Sequence, residues 1–385
     1  MRLGFHYHNP AVIRDGHIYL PGDTGPFIDS LAGYCEQVIC FLHSPNPNDL
    51  DLMDYRISSN NVRLIDIGTH SSVIERTLKA NTYTSFLRRY GSEMDILLVR
   101  GPSPLLPAMV RASPVPTALL LVGDYLTGVD DLPQPRWRKE AIRLWSYWNK
   151  WGQDRAARHS LTFVNSQTLY EDLKNKATNL HLIHTTNLTN GDFFIRSDTC
   201  QSRPYRLLYV GRMDRSKGLL QMVEAVAWLT ERGEDVVLTM VGWQEPGDPV
   251  LDEIQVLAKE KNITDRVHYL GSRPLGPTLF EFYREADIFI IASFSEGFPR
   301  VIWEAMAHSL PVIATRVGGI PDLIEGKAEL IRPRSVSDLV EAIQHLLHNQ
   351  ELRQKYIQVG FLLAQENGLA KQALKMIQKL EEQLL

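Results

Sequence analysis

The stretch that decides the fold is Ser295-Glu296-Gly297-Phe298-Pro299-Arg300-Val301-Ile302-Trp303-Glu304-Ala305-Met306-Ala307. It follows an apolar strand predicted from Asp287 to Ser293. Gly297 permits a turn, and Pro299 suits the first position of a helix, where a proline is best tolerated. A strand, a tight turn and a helix running to His308 are therefore predicted, as in an open α/β sheet.

Two glutamates bracket the start of this helix. Glu296 precedes it and Glu304 lies within it, so the two are separated by roughly 9–12 Å at the usual helical rise. Unpaired amides and a partial positive charge at a helix start attract anions. The spacing suits a ligand with hydroxyls at both ends and a diphosphate between them, namely a nucleotide sugar. The alternative is a loop carboxylate and an unrelated solvated helical residue.

Two cations follow an earlier predicted strand, Arg206–Val210. Arg212 and Lys217 both emerge at its carboxyl end, the edge of an open α/β sheet where ligands bind. Arginine binds phosphate in a bidentate manner, and lysine adds a point charge. Together they could neutralise a diphosphate without a divalent metal. The alternative is a pair of surface charges.

These motifs occur in one order between residues 205 and 333. They are Gly211-Arg212, Lys217-Gly218, Glu296 with Glu304, Pro311-Val312-Ile313-Ala314-Thr315 and Gly318-Gly319-Ile320-Pro321-Asp322. In this the chain resembles the retaining glycosyltransferases of family four, which have the GT-B fold. The resemblance implies an α/β protein with two Rossmann-like domains facing each other across a cleft, and a carboxyl-terminal helix that crosses back to the first domain.

Strand-like and helical segments alternate along the chain, which predicts parallel sheets with crossover helices. The predicted acceptor-binding domain spans residues 1–190 and the nucleotide-sugar domain spans 204–366. The polar stretch 186–204 is the predicted linker, and 367–385 is the helix that returns to the first domain. A single long helix is predicted from Ser72 to Tyr90.

The resemblance assigns a role to each candidate residue. Glu296 is the expected catalytic residue, which would hold hydroxyls of the donor sugar and favour positive charge at the anomeric carbon. Glu304 would accept hydrogen bonds from the ribose. The other donor-binding residues of this half are Arg212, Lys217, Arg273, Phe298, Pro299, Arg300 and Val301. For Arg273, in the turn Gly271–Pro274, a plain strand-to-helix turn is an open alternative.

The amino-terminal half offers weaker candidates. Gly25 could let backbone approach a phosphate, and Thr24 is also placed among the donor-binding residues. Thr24 or Asp23 could simply cap the first helix, and the preferred interpretation combines both roles, with the loop capping the helix and closing on the donor. Asp124 stands where relatives often have histidine, so it is a candidate base or a group that orients the acceptor, and its alternative is a turn residue.

Composition excludes several classes of function. A formal net charge of −4 argues against a nucleic-acid-binding protein, which usually has a strongly basic domain. Three cysteines follow no zinc spacing and fit a reducing cytosol. His6 and His8 lie on one face of a strand without evident further ligands, so neither a metal nor a cofactor is expected. No apolar run is long enough for a membrane span, so a cytoplasmic location is expected.

Residues 136–158 form a predicted helix rich in tryptophan. Its large apolar residues recur at intervals of three or four, and Arg136, Lys139, Arg143 and Lys150 form a basic stripe beside them. The preferred interpretation is a crossover helix whose tryptophans pack on a sheet. The alternative is peripheral contact with an anionic membrane at the inner face, which would favour a lipid-linked acceptor.

The resemblance implies an enzyme that moves a hexose from a nucleotide diphosphate sugar to a hydroxyl of a saccharide or lipid-linked saccharide, with retained anomeric configuration, in polysaccharide biosynthesis. Uridine diphosphate–glucose is the first donor to consider, because it is frequent in the family. A GT-B nucleotide-sugar epimerase and a non-catalytic nucleotide-sugar-binding subunit are the alternatives. A dehydrogenase is excluded, since no G-x-G-x-x-G follows the first strand.

Overall fold

The computed structural model describes residues 1–22, 24–123, 125, 135–184, 186–245, 247–296 and 299–384. The chain divides into two compact units. The first unit contains Met1–Asn187 together with Leu369–Leu385, and the second contains Leu188–Gly368. Each is a parallel β-sheet covered by helices, which confirms the predicted fold class with its two α/β domains.

The elements follow the predicted alternation of strands and helices. The strands are β1 Arg2–Pro10, β2 Val12–Arg14, β3 His17–Leu20, β4 Gln37–Ser44, β5 Tyr55–Arg56, β6 Val62–Thr69, β7 Ile96–Gly101, β8 Thr117–Leu121, β9 Leu161–Val164, β10 Leu180–Leu182, β11 Tyr205–Val210, β12 Val236–Val241, β13 Val267–Tyr269, β14 Ile288–Ile291, β15 Val312–Thr315 and β16 Glu329–Ile331. The helices are α1 Gly25–Ala32, α2 Val73–Leu78, α3 Ala80–Thr84, α4 Phe86–Tyr90, α5 Leu106–Ala112, α6 Arg136–Ala157, α7 Gln167–Leu173, α8 Leu219–Glu231, α9 Val250–Glu260, α10 Pro277–Glu285, α11 Val301–Ala307, α12 Ile320–Ile324, α13 Val336–His348, α14 Gln350–Glu366 and α15 Leu369–Glu382.

The first unit is built on a parallel sheet in the order β10-β9-β8-β7-β1-β4-β6. Successive residues of a strand point to opposite faces, so one strand serves two cores. In β4, Val38 and Cys40 pack in a core with α1, whereas Ile39 and Phe41 pack in another core on the opposite face. This double burial explains why the strand sequences are continuously apolar.

The second unit repeats this plan in a sheet ordered β13-β12-β11-β14-β15-β16. One core joins Leu207 of β11 to α8, α9 and α13. The other core joins Leu208 of β11 to α10, α11 and α12. The carboxyl ends of the neighbouring strands β11 and β14 therefore meet at one edge, where the turns to α8 and α11 begin.

The carboxyl-terminal helix α15 belongs to the first unit. Its buried residues recur at helical spacing and are Leu369, Ala373, Met376, Ile377 and Leu380. They share a core with α1 and the strands of the first sheet. The chain thus returns to the first unit at its end, as the resemblance implies.

Residues 188–204, which the sequence analysis assigned to a linker, pack against the second unit. Leu188 is buried in its core. The amide of Phe194 donates to the carbonyl of Ala307 at 2.9 Å. Arg353 forms a buried ion pair with Asp198 at 2.9 Å. These contacts make the segment part of the unit that follows it.

Two features of the first unit differ from the prediction. Three short helices, α2 to α4, replace the single helix predicted from Ser72 to Tyr90, and the backbone of Lys79 leaves helical geometry at the first break. A small antiparallel sheet, β2-β3-β5, was not predicted. Its hairpin turns at Asp15-Gly16, where both residues have positive φ, and Asp-Gly favours such turns.

Candidate functional site

Arg212 follows β11 and lies against an acidic residue of the next turn. Its Nε atom is 2.8 Å from Asp214 Oδ2, although the contact lacks the alignment of a hydrogen bond. Asp214 Oδ1 accepts from the amide of Ser216 at 2.8 Å and so caps a short 3-10 turn that ends at Lys217. The turn presents both cations beyond the end of the strand.

Lys217 is paired with Glu296, which lies in the turn after β14. The distance from Lys217 Nζ to Glu296 Oε1 is 2.6 Å. The same oxygen accepts from the hydroxyl of Ser293 at 2.8 Å. The carbonyl of Ser293 in turn accepts from the hydroxyl of Thr315 at 2.6 Å, so β15 supports the turn that carries Glu296. The side chains of Lys217 and Glu296 are 15% and 13% exposed, so this pair is largely shielded from water.

A close backbone contact brings the two turns together. Gly218 has φ +68°, and a Cβ atom at this position would lie 2.2 Å from the carbonyl oxygen of Ala292. The amide of Phe294 donates to the carbonyl of Ser216 at 2.7 Å across the same contact. Glycine is therefore required beside Lys217, because a side chain would push the cation away from Glu296.

Tyr209 lies beneath this arrangement, and its hydroxyl donates to the carbonyl of Arg212 at 2.8 Å. Burial raises the pKa of Tyr209 far above its usual range, and the negative charges of Glu296 and Asp214 raise it further. The phenol therefore stays protonated and holds the backbone of Arg212 in place.

Glu304 lies inside α11 and is only 9% exposed. Its Oε2 atom accepts from the hydroxyl of Tyr283 at 2.7 Å. Burial raises the pKa of Glu304, whereas the Tyr283 hydrogen bond and the positive charge of Arg300 act in the opposite direction. The carboxylate is thus a buried acceptor, held in position by a residue of α10.

The turn before α11 corrects one detail of the prediction. The helix begins at Val301 with Arg300 at the N-cap, so Pro299 precedes the helix rather than occupying its first position. The first backbone bonds of the turn run from Ile302 to Pro299 and from Trp303 to Arg300. The amides of Arg300 and Val301 have no hydrogen-bond partner in the described part of the chain. Phe298 lies outside the described residues.

Arg273 follows β13 in the turn where it was predicted. Its Nη1 atom donates to the carbonyl of Ser272 at 2.9 Å, and its guanidinium lies 6.0 Å from the centre of the Phe282 ring. These local contacts account for its conformation, and its role at a nucleobase stays a prediction.

Thr24 and Gly25 lie in the first unit. The buried hydroxyl of Thr24 accepts from the side-chain Nδ2 of Asn9 at 2.8 Å, and it makes no capping bond to α1. A Cβ atom on Gly25 would lie 2.1 Å from the ring of Tyr55, so packing alone requires a glycine there. Asp23 and Asp124 lie outside the described residues.

The structure thus brings Arg212, Lys217 and Glu296 to the carboxyl ends of two neighbouring strands. Four residues that hold them or Glu304 in place were not predicted from the sequence: Tyr209, Asp214, Tyr283 and Ser293. Asp214 could have been found, because an aspartate two residues before a serine amide is a common turn cap. Tyr283 carried no such signal, since it meets Glu304 only through the packing of α10 against α11.

Three of the four tryptophans of α6 are exposed, so the prediction that the tryptophans of this helix pack on a sheet is wrong for these three, whereas Trp145 is half-buried and contacts the Tyr125 ring. Trp137, Trp148 and Trp151 are 72%, 60% and 61% exposed. The face that packs inward carries small and polar residues, namely Ser146, Asn149, Gln153, Ala156 and Ala157. Lys150 is not part of an open basic stripe, because its Nζ atom lies 2.5 Å from Asp172. No helix in the described ranges is long and apolar enough to span a membrane.

In the first unit His6 is buried and His8 is half-buried. Burial lowers the pKa of each to about 3, so both are neutral at physiological pH. Within the described ranges, no three side chains of His, Cys, Asp or Glu converge as a metal site would require.

Residues 192–361 match the family model of glycosyl transferases group 1. The match covers nearly all of the second unit, so this unit resembles a group 1 glycosyltransferase domain. D-inositol 3-phosphate glycosyltransferase of Corynebacterium jeikeium is 36% identical over 150 residues, which is 38% of this chain and 36% of that protein. The chain therefore spans about a third of the length of this curated relative in the match.

Two solved structures resemble the chain over nearly its whole length. Anabaena Alr3699/HepE in complex with UDP has a TM-score of 0.71 and 18% identity, covering 99% of this chain and 100% of that one. Sucrose-phosphate synthase from Thermosynechococcus elongatus has a TM-score of 0.69 and 20% identity, covering 99% and 98%. At these identities the likeness establishes the GT-B type of fold.

Proposed function

We propose that the protein is a retaining glycosyltransferase that moves a hexose from a nucleotide diphosphate sugar to an acceptor hydroxyl. The observation that carries the proposal is the shielded Lys217–Glu296 pair at the carboxyl ends of β11 and β14, within the unit that resembles a group 1 glycosyltransferase domain. A cation suited to phosphate and an acid suited to sugar hydroxyls lie within 2.6 Å of each other. A nucleotide sugar has both groups adjacent.

In the proposed reaction, the bond between the anomeric carbon and the diphosphate oxygen breaks, and a bond to the acceptor oxygen forms on the same face. Arg212 and Lys217 stabilise the charge that grows on the departing diphosphate. Same-face attack leaves the acceptor hydroxyl beside the departing oxygen, which takes its proton. The two cations do the work that a divalent metal does in other transferases.

Glu296 and Glu304 have different tasks in this proposal. Glu296, held by Ser293, accepts hydrogen bonds from the sugar and favours positive charge at the anomeric carbon. Glu304, held by Tyr283, accepts from the ribose hydroxyls. The amides of Arg300 and Val301 face the phosphates between them.

UDP-glucose is the first donor to test, because a structural neighbour, Anabaena Alr3699/HepE, has been solved with UDP-glucose. The proposed acceptor is a saccharide or a lipid-linked saccharide in polysaccharide biosynthesis. The curated relative named for D-inositol 3-phosphate supports a hydroxyl acceptor. We place the reaction in the cytoplasm.

The exposed tryptophans of α6 support peripheral binding to an anionic membrane. The guanidinium of Arg138 lies 6.0 Å from the centre of the Trp137 ring, and that of Arg155 lies 5.7 Å from the centre of the Trp151 ring, so cationic and interfacial side chains share one surface. Replacing Trp137, Trp148 and Trp151 together by serine should reduce sedimentation with phosphatidylglycerol vesicles at least tenfold. Unchanged sedimentation would exclude this surface, and vesicles of phosphatidylcholine alone provide the control.

Calorimetry with UDP tests the proposed diphosphate site. Arg212→Ala and Lys217→Ala should each weaken binding by about 10- to 100-fold, because a charge-assisted hydrogen bond contributes about 1.5–3 kcal/mol. Arg316→Ala is the matched control, since Arg316 and Arg212 are both 47% exposed and both ion-paired. Unchanged affinity in both variants would remove these cations from the site. Incubation with labelled UDP-glucose and recovery of UDP would then separate transfer or hydrolysis from epimerisation.

A further inference from the structure

The first unit contains an open cavity of about 510 Å³ that the proposed donor site does not use. Its lining includes His8, Asn9, Asp49, Asp54, His70 and Arg76. These side chains come from β1, α2 and the loops that follow β4 and β6. The cavity is therefore assembled from segments that are distant in the sequence, and every residue of its lining lies in one unit.

Arg76 is the unusual member of this lining. It is only 5% exposed, and its Nε atom is buried without a hydrogen-bond partner. Its one hydrogen bond in the described structure runs from Nη1 to the carbonyl of His8 at 3.5 Å, which is long. It forms no ion pair with a described residue. A buried guanidinium without a counter-charge is unfavourable, and burial accordingly lowers the pKa of Arg76.

Two of the three aspartates of the cavity are engaged elsewhere. Asp49 Oδ2 binds the ring of His70 at 2.8 Å and the amide of Asn46 at 3.0 Å. Asp54 Oδ1 accepts from the amide of Gly22 at 2.7 Å. Each carboxylate fixes a loop of the wall, and although the charge of Asp49 partly offsets that of Arg76, neither carboxylate forms an ion pair with it. The cavity keeps a buried positive charge even though three aspartates contribute to its lining.

His8 supplies a second unsatisfied group. Its Nδ1 atom is buried and has no partner. Burial and the nearby charge of Arg76 lower its pKa to about 3, so the ring is neutral and can donate one hydrogen bond. Arg76 and His8 therefore each contribute to the lining of one cavity a side chain with a buried nitrogen atom that has no hydrogen-bond partner.

We propose that this cavity binds an oxyanion, either a carboxylate or a phosphate group, with Arg76 as its counter-charge and His8 as a second partner. The planar guanidinium can bind such a group through two parallel hydrogen bonds. If the proposed glycosyltransferase function holds, which this step assumes, the oxyanion belongs to the acceptor. The acceptor is then an acidic saccharide, a sugar acid or a sugar phosphate, rather than a neutral sugar.

Titration of the full chain without donor tests this site by itself. Glucuronic acid and glucose 6-phosphate are the anionic probes, and glucose is the neutral one. The wild type should bind at least one anionic probe at least tenfold more tightly than glucose. Binding of glucuronic acid alone assigns a carboxylate site, and binding of glucose 6-phosphate alone assigns a phosphate site. Equal or absent binding of all three would overturn the proposal.

Variants then assign the binding to the cavity. Arg76→Gln should abolish the preference for the anionic probe, Arg76→Lys should restore part of it, and His8→Phe should weaken it. Arg63→Gln, at an exposed arginine paired with Glu93, should leave it unchanged. Arg76→Gln should melt at the same or a higher temperature, whereas loss of a structural ion pair would lower the melting temperature. Retained anion preference in both Arg76→Gln and His8→Phe would overturn the proposal. UDP titration of the wild type reports separately on the proposed function.

Discussion

Glu296→Gln is the substitution that separates sugar activation from diphosphate binding. Glutamine keeps the shape of the side chain and can still accept the hydroxyl of Ser293, which lies 2.8 Å from Oε1. It removes the negative charge that faces Lys217 at 2.6 Å. The variant therefore alters one charge and leaves the rest of the turn in place.

The exposure of the Lys217–Glu296 pair and the usual effects of similar substitutions set the expected changes in stability and turnover. Because Lys217 and Glu296 are 15% and 13% exposed, their pair lies between a surface ion pair and a fully buried one. We expect a coupling free energy of about 1–3 kcal/mol between the two side chains, as for other contacting charged residues. Turnover should fall by about 10²- to 10³-fold, the usual effect of removing one preorganised electrostatic group.

The affinity for UDP should not fall with turnover. In the wild type, Lys217 is held by Glu296, so a diphosphate must compete with that carboxylate for the cation. Glutamine removes the competitor, and UDP binding should stay equal or become several-fold tighter. A parallel loss of UDP affinity and turnover would show that Glu296 acts only by positioning Lys217.

Three measurements test the role proposed for Glu296. Product formation from UDP-glucose gives turnover, calorimetry gives UDP affinity, and urea unfolding of Glu296→Gln, Lys217→Met and the double variant gives the coupling. Glu253→Gln is the control, since Glu253 pairs with Arg215 in the same unit outside the proposed site. A folded Glu296→Gln protein with near-normal turnover would refute the role given to this residue.

Two further predictions concern stability. Gly218→Ala should lower the unfolding free energy by at least about 2 kcal/mol, because the new Cβ atom clashes with the carbonyl of Ala292 and the backbone has positive φ. Gly233 also has positive φ but lies in open space, so Gly233→Ala should lower the unfolding free energy by only about 1 kcal/mol. Glu304 has a folded pKa above its ordinary value of 4.5, so the folded state binds the proton more tightly and loses stability as pH rises from 4.5 through the folded pKa. Glu304→Gln should lack this loss in urea titrations at several pH values, and parallel pH profiles for the two proteins would contradict it.

Sequence alone predicted the parts of the molecule that depend on local pattern. The strand preceding Arg212 and the strand preceding Glu296 were identified, and parallel strands bring their carboxyl ends to one edge. The roles of these residues stay predictions. What sequence could not give is which groups meet across elements. The bond from Tyr283 to Glu304 depends on the packing of α10 against α11, and neither residue signals the other in the sequence.

The wrong prediction for the α6 tryptophans and the missed hairpin both have local causes. The spacing of the α6 tryptophans correctly predicted a helix with an apolar face, but spacing does not say whether that face turns inward. Small side chains such as Ala156 and Ala157 allow the opposite face to pack closely instead. The hairpin at Asp15-Gly16 was missed although its turn residues signal it, because strands of three and four residues carry too little alternation to be recognised.

Because the site cation Lys217 is paired with Glu296, the proposed site should bind the sugar nucleotide and the UDP product with different affinities. A diphosphate that takes Lys217 leaves Glu296 with the Ser293 hydroxyl and no cation. UDP supplies nothing to replace that cation, whereas a sugar nucleotide brings sugar hydroxyls that can donate to the freed carboxylate. On the proposed function, Glu296 therefore favours the donor over the UDP product, and the ratio of their affinities should fall in Glu296→Gln. The acid that assists the chemistry thus also promotes release of the spent nucleotide.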